Sequence, residues 1–235
     1  MKIKLLLSTI VGMAAWSLSS VAAANWDAGA CPDPNPGPAP CIETVVNGNT
    51  YHFNGSGGHA DVWHGLPAAE GGGDFSFSGD SVLTCDGTDI ACTLELTGEV
   101  KKCEEPDGTW RIGVRVNSSD VTGSFACSTI ALGGFPWYSK DSSITPHCPF
   151  GDVCGNFNEY DPSASTYTAN FGLIDISVFG IPEVTDGHVH DVVFTPGVGA
   201  SFDFNSIFYD CDENSQNCSV DGTLTLDNAT SLDVY

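Results

Sequence analysis

Five of the six histidines fall in two places along the chain, three near the start and two flanking a single residue near the end. The first group is His52, His59 and His64, and the second is His188-Val189-His190. Alternate residues of a β-strand point to the same side, so the second group places two imidazoles on one face. Imidazole is a good ligand for zinc and copper. We therefore expect a transition-metal site on these two histidines, completed from the His59/His64 region. The alternative is a set of loop and surface histidines in an acidic protein.

Two short segments, each containing a pair of cysteines, are rich in carboxylates. Asp86 and Asp89 lie in the first segment, and Asp210, Asp212 and Glu213 lie in the second. Ca²⁺ prefers hard oxygen ligands, so these acids are candidate calcium ligands, although the chain has no EF-hand loop. The alternative is a solvated acidic surface that holds no ion.

Motifs of common enzyme classes are absent from the sequence, including G-x-S-x-G, H-E-x-x-H, the P-loop and C-x-x-C. We therefore expect a protein without catalytic residues. Flat aromatic side chains could instead stack on sugars, and the candidates are Trp63, Trp110, Trp137 and Tyr138. The alternative is that these rings pack in the core, as most tryptophans do.

The charge of the chain excludes several classes of partner. The sequence has 235 residues, with 7 Lys+Arg against 30 Asp+Glu. Without residues 1–24 it keeps 5 basic residues, which gives a formal charge of −25. Nucleic-acid binding needs a basic surface, and so does docking on anionic lipid. No apolar run after residue 24 reaches the roughly 18–20 residues of a membrane span.

The first 24 residues resemble a bacterial signal peptide. Lys2 and Lys4 precede the apolar stretch 5–15, and Ala22-Ala23-Ala24 forms a cleavage site. We therefore predict a signal peptide at 1–24, a Pro-rich N-terminal arm at 25–42 and a single β domain at 43–235. The protein is expected to be exported through the periplasm and to be secreted, or held at the cell surface.

Ten cysteines indicate an oxidising compartment and disulfide bonds. The sequence Cys-Asp-x5-Cys occurs twice, which suggests that each copy closes its own hairpin. Local pairing then predicts the bonds Cys31–Cys41, Cys85–Cys92, Cys148–Cys154, Cys211–Cys218 and, by remainder, Cys103–Cys127. A rival scheme pairs Cys92 with Cys127. His147 receives no role, because a disulfide at Cys148 would remove the neighbouring thiolate.

Apolar residues alternate with polar ones over most of the chain. Examples are Thr93–Thr97, Ile112–Val116 and Leu173–Val178, and Asn47-Gly48 is a strong hairpin turn. No segment keeps a helical period over three turns. The pattern predicts about 10–14 short strands and an all-β, disulfide-stapled antiparallel sandwich or jelly-roll-like fold.

Three patches together resemble a known family. They are Cys92–Gly98, Cys127 followed by Gly134-Phe135-Pro136-Trp137, and Cys218–Leu224. Their order is similar to that of the secreted bacterial Pra-type proteins, named as activators of alkane oxidation. The resemblance implies an exported, non-enzymatic surface protein linked to biofilm tubules and to growth on hydrocarbons. The chain differs from that pattern in its extra cysteines, its Pro-rich arm and its acidity.

Resemblance and charge together predict an extracellular structural protein that self-associates as a homo-oligomer or filament. Its edges would be the N-terminal hairpin and the final segment, residues 229–235, with divalent cations bridging the acidic loops. It would contact a cell surface or a hydrophobic surface. The expected cofactor is calcium, with zinc or copper less favoured. The alternative function is an extracellular binding module for a metal ion or a carbohydrate.

Overall fold

The computed structural model describes residues 26–32, 38–54 and 59–235, so the predicted signal peptide lies outside the described residues. Three 3-10 helices are present there, at Ala68–Glu70, Cys127–Thr129 and Cys154–Asn156. None of the helices in this part of the chain has the length and apolarity that crossing a membrane requires. The strands of the described residues are β1 (Asp27–Ala28), β2 (Ile42–Val46), β3 (Asn49–Phe53), β4 (Phe75–Cys85), β5 (Thr88–Glu104), β6 (Trp110–Gly123), β7 (Ile130–Gly133), β8 (Trp137–Asp141), β9 (Asn158–Glu159), β10 (Tyr167–Val178), β11 (Ile181–Thr195), β12 (Gly197–Val198), β13 (Ser201–Tyr209), β14 (Ser215–Leu226) and β15 (Ser231–Val234).

The main sheet closes into an antiparallel barrel of eight strands. The order is β11-β13-β14-β4-β5-β6-β8-β10, and β10 pairs with β11 to complete the circle. A second sheet, β1-β3-β2-β15-β12, adds Ile42, Phe53 and Leu232 to the same buried core. The all-β class and the disulfide stapling are confirmed. The expected sandwich is not confirmed, because the larger sheet closes on itself.

The two segments proposed as open edges are paired within the chain. The N-terminal hairpin, β2 and β3, lies between β1 and β15 in the second sheet. The final strand, β15, lies between β2 and β12. Backbone groups that already pair inside the sheet cannot template a neighbouring copy. Self-association stays a prediction, and on these strands only the residues beyond the two-residue strands β1 and β12 keep an open side.

A tight turn explains why the predicted Cys85–Cys92 bond is wrong. Asp86 has a φ of 49° and Gly87 a φ of 75°, and the two residues form a hairpin turn between Cys85 and Thr88. Cys85 therefore lies directly at the turn, whereas Cys92 lies four residues further along β5, opposite Ser81. A disulfide requires Cα atoms within about 7 Å, so the hairpin keeps these two cysteines from bonding each other.

The disulfides mostly join segments distant in sequence. The local pair Cys31–Cys41 is confirmed, and so is the rival pairing Cys92–Cys127. Cys85 and Cys218 are opposite each other on β4 and β14, with Cα atoms 4.2 Å apart. The other two bonds are Cys103–Cys154 and Cys148–Cys211. The local predictions Cys148–Cys154 and Cys211–Cys218, and the pair Cys103–Cys127 predicted by remainder, are wrong because tertiary contacts between segments distant in sequence bring the cysteines together.

The connection between β8 and β9, residues 142–157, lies against the outer face of the barrel, and we call it the overlying loop. The ring of Phe150 occupies the space that a side chain would take at Gly172 on β10. That ring also lies 5.4 Å, centroid to centroid, from His188 on β11. The overlying loop is bonded to β5 through Cys154 and to the β13–β14 turn through Cys148. It therefore covers the part of β11 that carries the predicted H-x-H pair.

Candidate metal centre

Four side chains from three separate segments converge beneath the overlying loop. They are His147 from that loop, His188 and His190 from β11, and Glu213 from the β13–β14 turn. One ligand atom from each lies within 4.8 Å of all the others. Among the described residues this is the one such group of three or more histidine, cysteine or acidic side chains. Three imidazoles and a carboxylate are a transition-metal ligand set.

Four of the separations between these ligand atoms have the size of a metal coordination shell. His147 Nδ1 lies 3.1 Å from His190 Nε2 and 3.2 Å from Glu213 Oε1. Glu213 Oε2 lies 3.4 Å from His190 Nε2, and Oε1 lies 3.6 Å from His188 Nε2. Four tetrahedral ligands at the usual zinc distances of about 2.0–2.2 Å are separated by about 3.3–3.6 Å. The atoms could therefore reach one ion with small side-chain adjustments.

His188 carries the clearest sign that a partner belongs in this cluster. Its side chain is fully buried, and neither Nδ1 nor Nε2 has a hydrogen-bond partner. An unpaired buried polar atom costs about 1–3 kcal/mol. An ion bound among the four ligand atoms would satisfy Nε2, which faces the Glu213 carboxylate.

Burial keeps the strand histidines in the form that binds metal. Burial lowers the pKa of His188 below its usual value, and the neighbouring His190 lowers it further, while Glu213 opposes the shift. Burial also lowers the pKa of His190, with His147 adding to the effect. Metal ions bind neutral imidazole, so both rings are ready for coordination near neutral pH.

A bulge in β11 sets the position of His190. The register with β13 shifts between Val189 and Val193, and Asp191 has a positive φ of 53°. The Asp191 backbone N–H donates to Asn170 Oδ1 at 3.0 Å, so a side chain replaces the missing strand partner. The His190 N–H likewise donates to Ser206 Oγ at 2.8 Å. These two bonds fix the backbone beside the ligand.

A compact turn sets the position of Glu213. Its backbone N–H donates to the Asp210 carbonyl at 2.9 Å. The Asp210 carboxylate accepts bonds from the N–H groups of Asp212 and Asn214, which lowers its pKa. Asp210 therefore acts as a turn cap.

The histidines near the start of the chain lie in a different cluster. His64 is fully buried and stacks on Phe53, with ring centroids 3.8 Å apart. His59 lies beside it and approaches Asp27 at 3.5 Å. His52 is on β3, where Nδ1 contacts the Gly29 carbonyl oxygen. The His59/His64 region therefore does not supply the third ligand, because this segment bridges to β5 and not to β11.

The acids proposed for calcium are not gathered into one group. Asp86 forms the β4–β5 turn, and Asp89 accepts a hydrogen bond from Thr84. Asp212 is exposed on the β13–β14 turn. Glu213 alone lies at a convergent cluster, and its neighbours there are imidazoles.

His147 and Glu213 complete the cluster, and sequence reasoning assigned neither of them to it. The sequence gives His147 no role beside a disulfide-bonded cysteine, and it groups Glu213 with the candidate calcium ligands. The Cys148–Cys211 bond is the signal that could have joined them, because it brings residues 147 and 213 to the same place. The predicted local pairing of the cysteines does not contain this bond.

The aromatic residues of the family-like patch have structural roles. Trp137 is buried, stacks on Phe135 at 4.5 Å and donates from Nε1 to the Gly133 carbonyl. Gly134 has a φ of +83°, and its backbone lies against Leu173 where a Cβ would clash, so only glycine fits. Pro136 follows Phe135 through a cis peptide bond.

Of the tryptophans proposed for sugar stacking, Trp110 is buried together with Trp137. The ring of Trp63 is faced by the side chains of Lys101 and Arg115. Burial removes the ring faces of Trp110 and Trp137 from a sugar, whereas Trp63 is half-buried and its use for sugar stacking stays a prediction.

A scan against protein-family models, a search of curated proteins and a search of solved structures each found no match to this chain. The Pra-type resemblance therefore stays a prediction.

Proposed function

We propose that this protein is an exported metal-binding protein that holds one transition-metal ion, zinc first and copper second, through His147, His188, His190 and Glu213. The observation that carries the proposal is the convergence of four ligand atoms within 4.8 Å around a buried, unpartnered imidazole. The five disulfides support an oxidising, extracellular setting.

The ligand set favours a transition metal over calcium. Calcium takes six to eight oxygen ligands, whereas this cluster offers three ring nitrogens and one carboxylate. Imidazole suits zinc, copper, iron and nickel. Zinc is placed first because the separations fit a tetrahedral shell.

The four ligand side chains differ in exposure to solvent, and the most exposed of them offers the ion a way in. The His188 side chain is 0% exposed, His147 18%, His190 20% and Glu213 45%. The ion would reach the strand histidines by passing Glu213. Because the turn ligand is the most exposed, we expect it to exchange first when the ion leaves.

The metal is proposed as cargo or as a functional ion, and not as a requirement for folding. The barrel closes through backbone pairing, and the core is apolar and lies inside it. Structural zinc sites that replace a core are usually rich in cysteine thiolates. All ten cysteines here are in disulfides.

Metal analysis after equilibrium dialysis tests this proposal. The oxidised protein is dialysed against micromolar zinc with millimolar calcium, and bound metals are measured by mass spectrometry. We expect one zinc and no calcium per chain, with zinc lost from His190→Gln and retained by the control His52→Gln. Zinc retained equally by both variants, or no zinc bound by the wild type, would contradict the proposal.

A further inference from the structure

The cluster takes two of its ligands from segments that a single disulfide joins. Cys148 directly follows His147, and Cys211 precedes Glu213 by two residues. The two cysteines are 63 residues apart in sequence, and their Cα atoms are 5.5 Å apart. The bond therefore connects the overlying loop to the β13–β14 turn immediately beside both ligands.

The other two ligands do not depend on that bond. His188 and His190 belong to β11, which pairs with β10 on one side and β13 on the other. The site thus has a rigid half on the barrel and a half carried by two irregular segments. The relative position of those segments is fixed covalently only by Cys148–Cys211 and, at the far end of the overlying loop, by Cys103–Cys154.

The same disulfide joins the most exposed pair of cysteines. In each of the other four bonds at least one cysteine is buried, whereas Cys148 is half-buried and Cys211 is exposed. Thiol–disulfide exchange requires access of an attacking thiolate to a sulfur. A reductant would therefore attack this bond before the others.

We propose that Cys148–Cys211 controls retention of the metal: the oxidised protein holds the ion, and reduction of this bond releases it. The inference rests on the proposed metal site and adds its regulation. One thiolate of a dithiol attacks one sulfur and expels the other cysteine as a thiolate, which leaves a mixed disulfide. The second thiol of the reagent then attacks the reagent's own sulfur in that mixed disulfide and expels the remaining cysteine. The protein gains two electrons and two protons as two cysteine thiols, and the dithiol becomes a disulfide. The metal ion keeps its oxidation state.

Reduction weakens metal binding because it separates the supports of two ligands. His147 and Glu213 would then have to be brought together at an entropic cost on each binding event. Loss of supports outside the ligand shell typically weakens metal binding about 10–100-fold, and we expect a change of that size. Coupling is reciprocal, so bound zinc should oppose reduction by the same factor. A tenfold effect corresponds to about 30 mV in the two-electron potential of the bond.

The test compares zinc affinities by competition with a chromophoric chelator. The full chain is measured as oxidised wild type, as the double variant Cys148→Ser/Cys211→Ser and as the control Cys31→Ser/Cys41→Ser, whose bond lies at the second sheet. We expect at least tenfold weaker zinc binding only when Cys148–Cys211 is absent. If the double variant folds poorly, wild-type protein reduced with limiting dithiothreitol gives the same comparison, provided that the reagent is removed before zinc is added and the reduced bond is identified by mass mapping.

Each outcome has one meaning. Equal affinities for wild type and both variants would overturn the redox control while leaving the metal site standing. Tighter binding after reduction, through thiolates of Cys148 and Cys211, would overturn it as well. Failure of the oxidised wild type to bind zinc would overturn the metal site and this inference together.

Discussion

His64 and His188 are buried to the same extent, but different groups surround their rings. Both rings are fully buried, each has an unpartnered Nε2, and burial lowers the pKa of both. His64, however, has its Nδ1 2.8 Å from the Val62 carbonyl oxygen and stacks on Phe53. The positive charge of Lys102 also acts on it and lowers its pKa further. A cation is disfavoured there.

The surroundings of His188 have the opposite character. A carboxylate oxygen of Glu213 lies 3.6 Å from Nε2, and two more imidazoles share the same space. The contrast shows that a buried histidine with an unpartnered nitrogen is not by itself a metal site. Convergence of further ligand atoms and an uncancelled negative charge make the difference.

The largest expected effect separates the two histidines directly. At zinc concentrations about 1,000 times Kd, binding stabilises the folded protein by about 4 kcal/mol. We expect His188→Gln to abolish this zinc-dependent gain and His64→Gln to retain it. Thermal or denaturant unfolding with and without zinc measures both. Equal zinc stabilisation in the two variants would remove the distinction drawn here.

The next effect belongs to His64 and concerns acid. Its folded pKa is lowered to about 4 from 6.5, so the unfolded chain takes up the proton first as pH falls. The native state therefore loses stability between pH 6.5 and about 4, by about 3 kcal/mol at most for this shift. Unfolding free energies across that range should show a shallower decline in His64→Gln than in wild type. An unchanged slope would mean that His64 is not a source of acid lability.

A smaller effect is expected from Ser206→Ala, which removes the acceptor for the His190 N–H. Because Ser206 positions a ligand, we expect zinc affinity to fall about tenfold, equivalent to about 1.4 kcal/mol. The control is Ser128→Ala, whose hydroxyl bonds Phe125 away from the cluster. A loss of stability in the metal-free protein with unchanged zinc affinity would reduce Ser206 to a structural residue.

The smallest effect is expected at the candidate calcium ligands predicted from the sequence. Asp89 is exposed and accepts one hydrogen bond from Thr84. We expect Asp89→Asn to change stability by less than about 0.5 kcal/mol, with or without millimolar calcium. A calcium-dependent stabilisation of wild type that this variant lacks would place an ion at the β4–β5 turn.

Features that depend on neighbouring residues could be predicted from the sequence. Alternating apolar residues gave the all-β class, and the short Pro-rich spacing gave Cys31–Cys41. The spacing of His188 and His190 placed two imidazoles on one strand, and their ring centroids are 4.8 Å apart. Each of these follows from strand geometry over a few residues.

Features that depend on contacts between segments distant in sequence could not be predicted from the sequence. Barrel closure requires β11 to pair with both β10 and β13, and a sandwich shows the same alternation. His147 reaches the cluster through the overlying loop, 43 residues before His190. Glu213 reaches it through a turn that resembles any solvated acidic turn in sequence. Tertiary pairing, and not local pattern, selects these two ligands.

X-ray diffraction from the zinc-loaded protein, recorded on both sides of the zinc absorption edge, tests the central claim most directly. At one zinc per chain we expect a single anomalous peak about 2.0–2.2 Å from His147 Nδ1, His188 Nε2, His190 Nε2 and a carboxylate oxygen of Glu213. A principal peak beside His59 and His64, or at a surface carboxylate, would contradict the account.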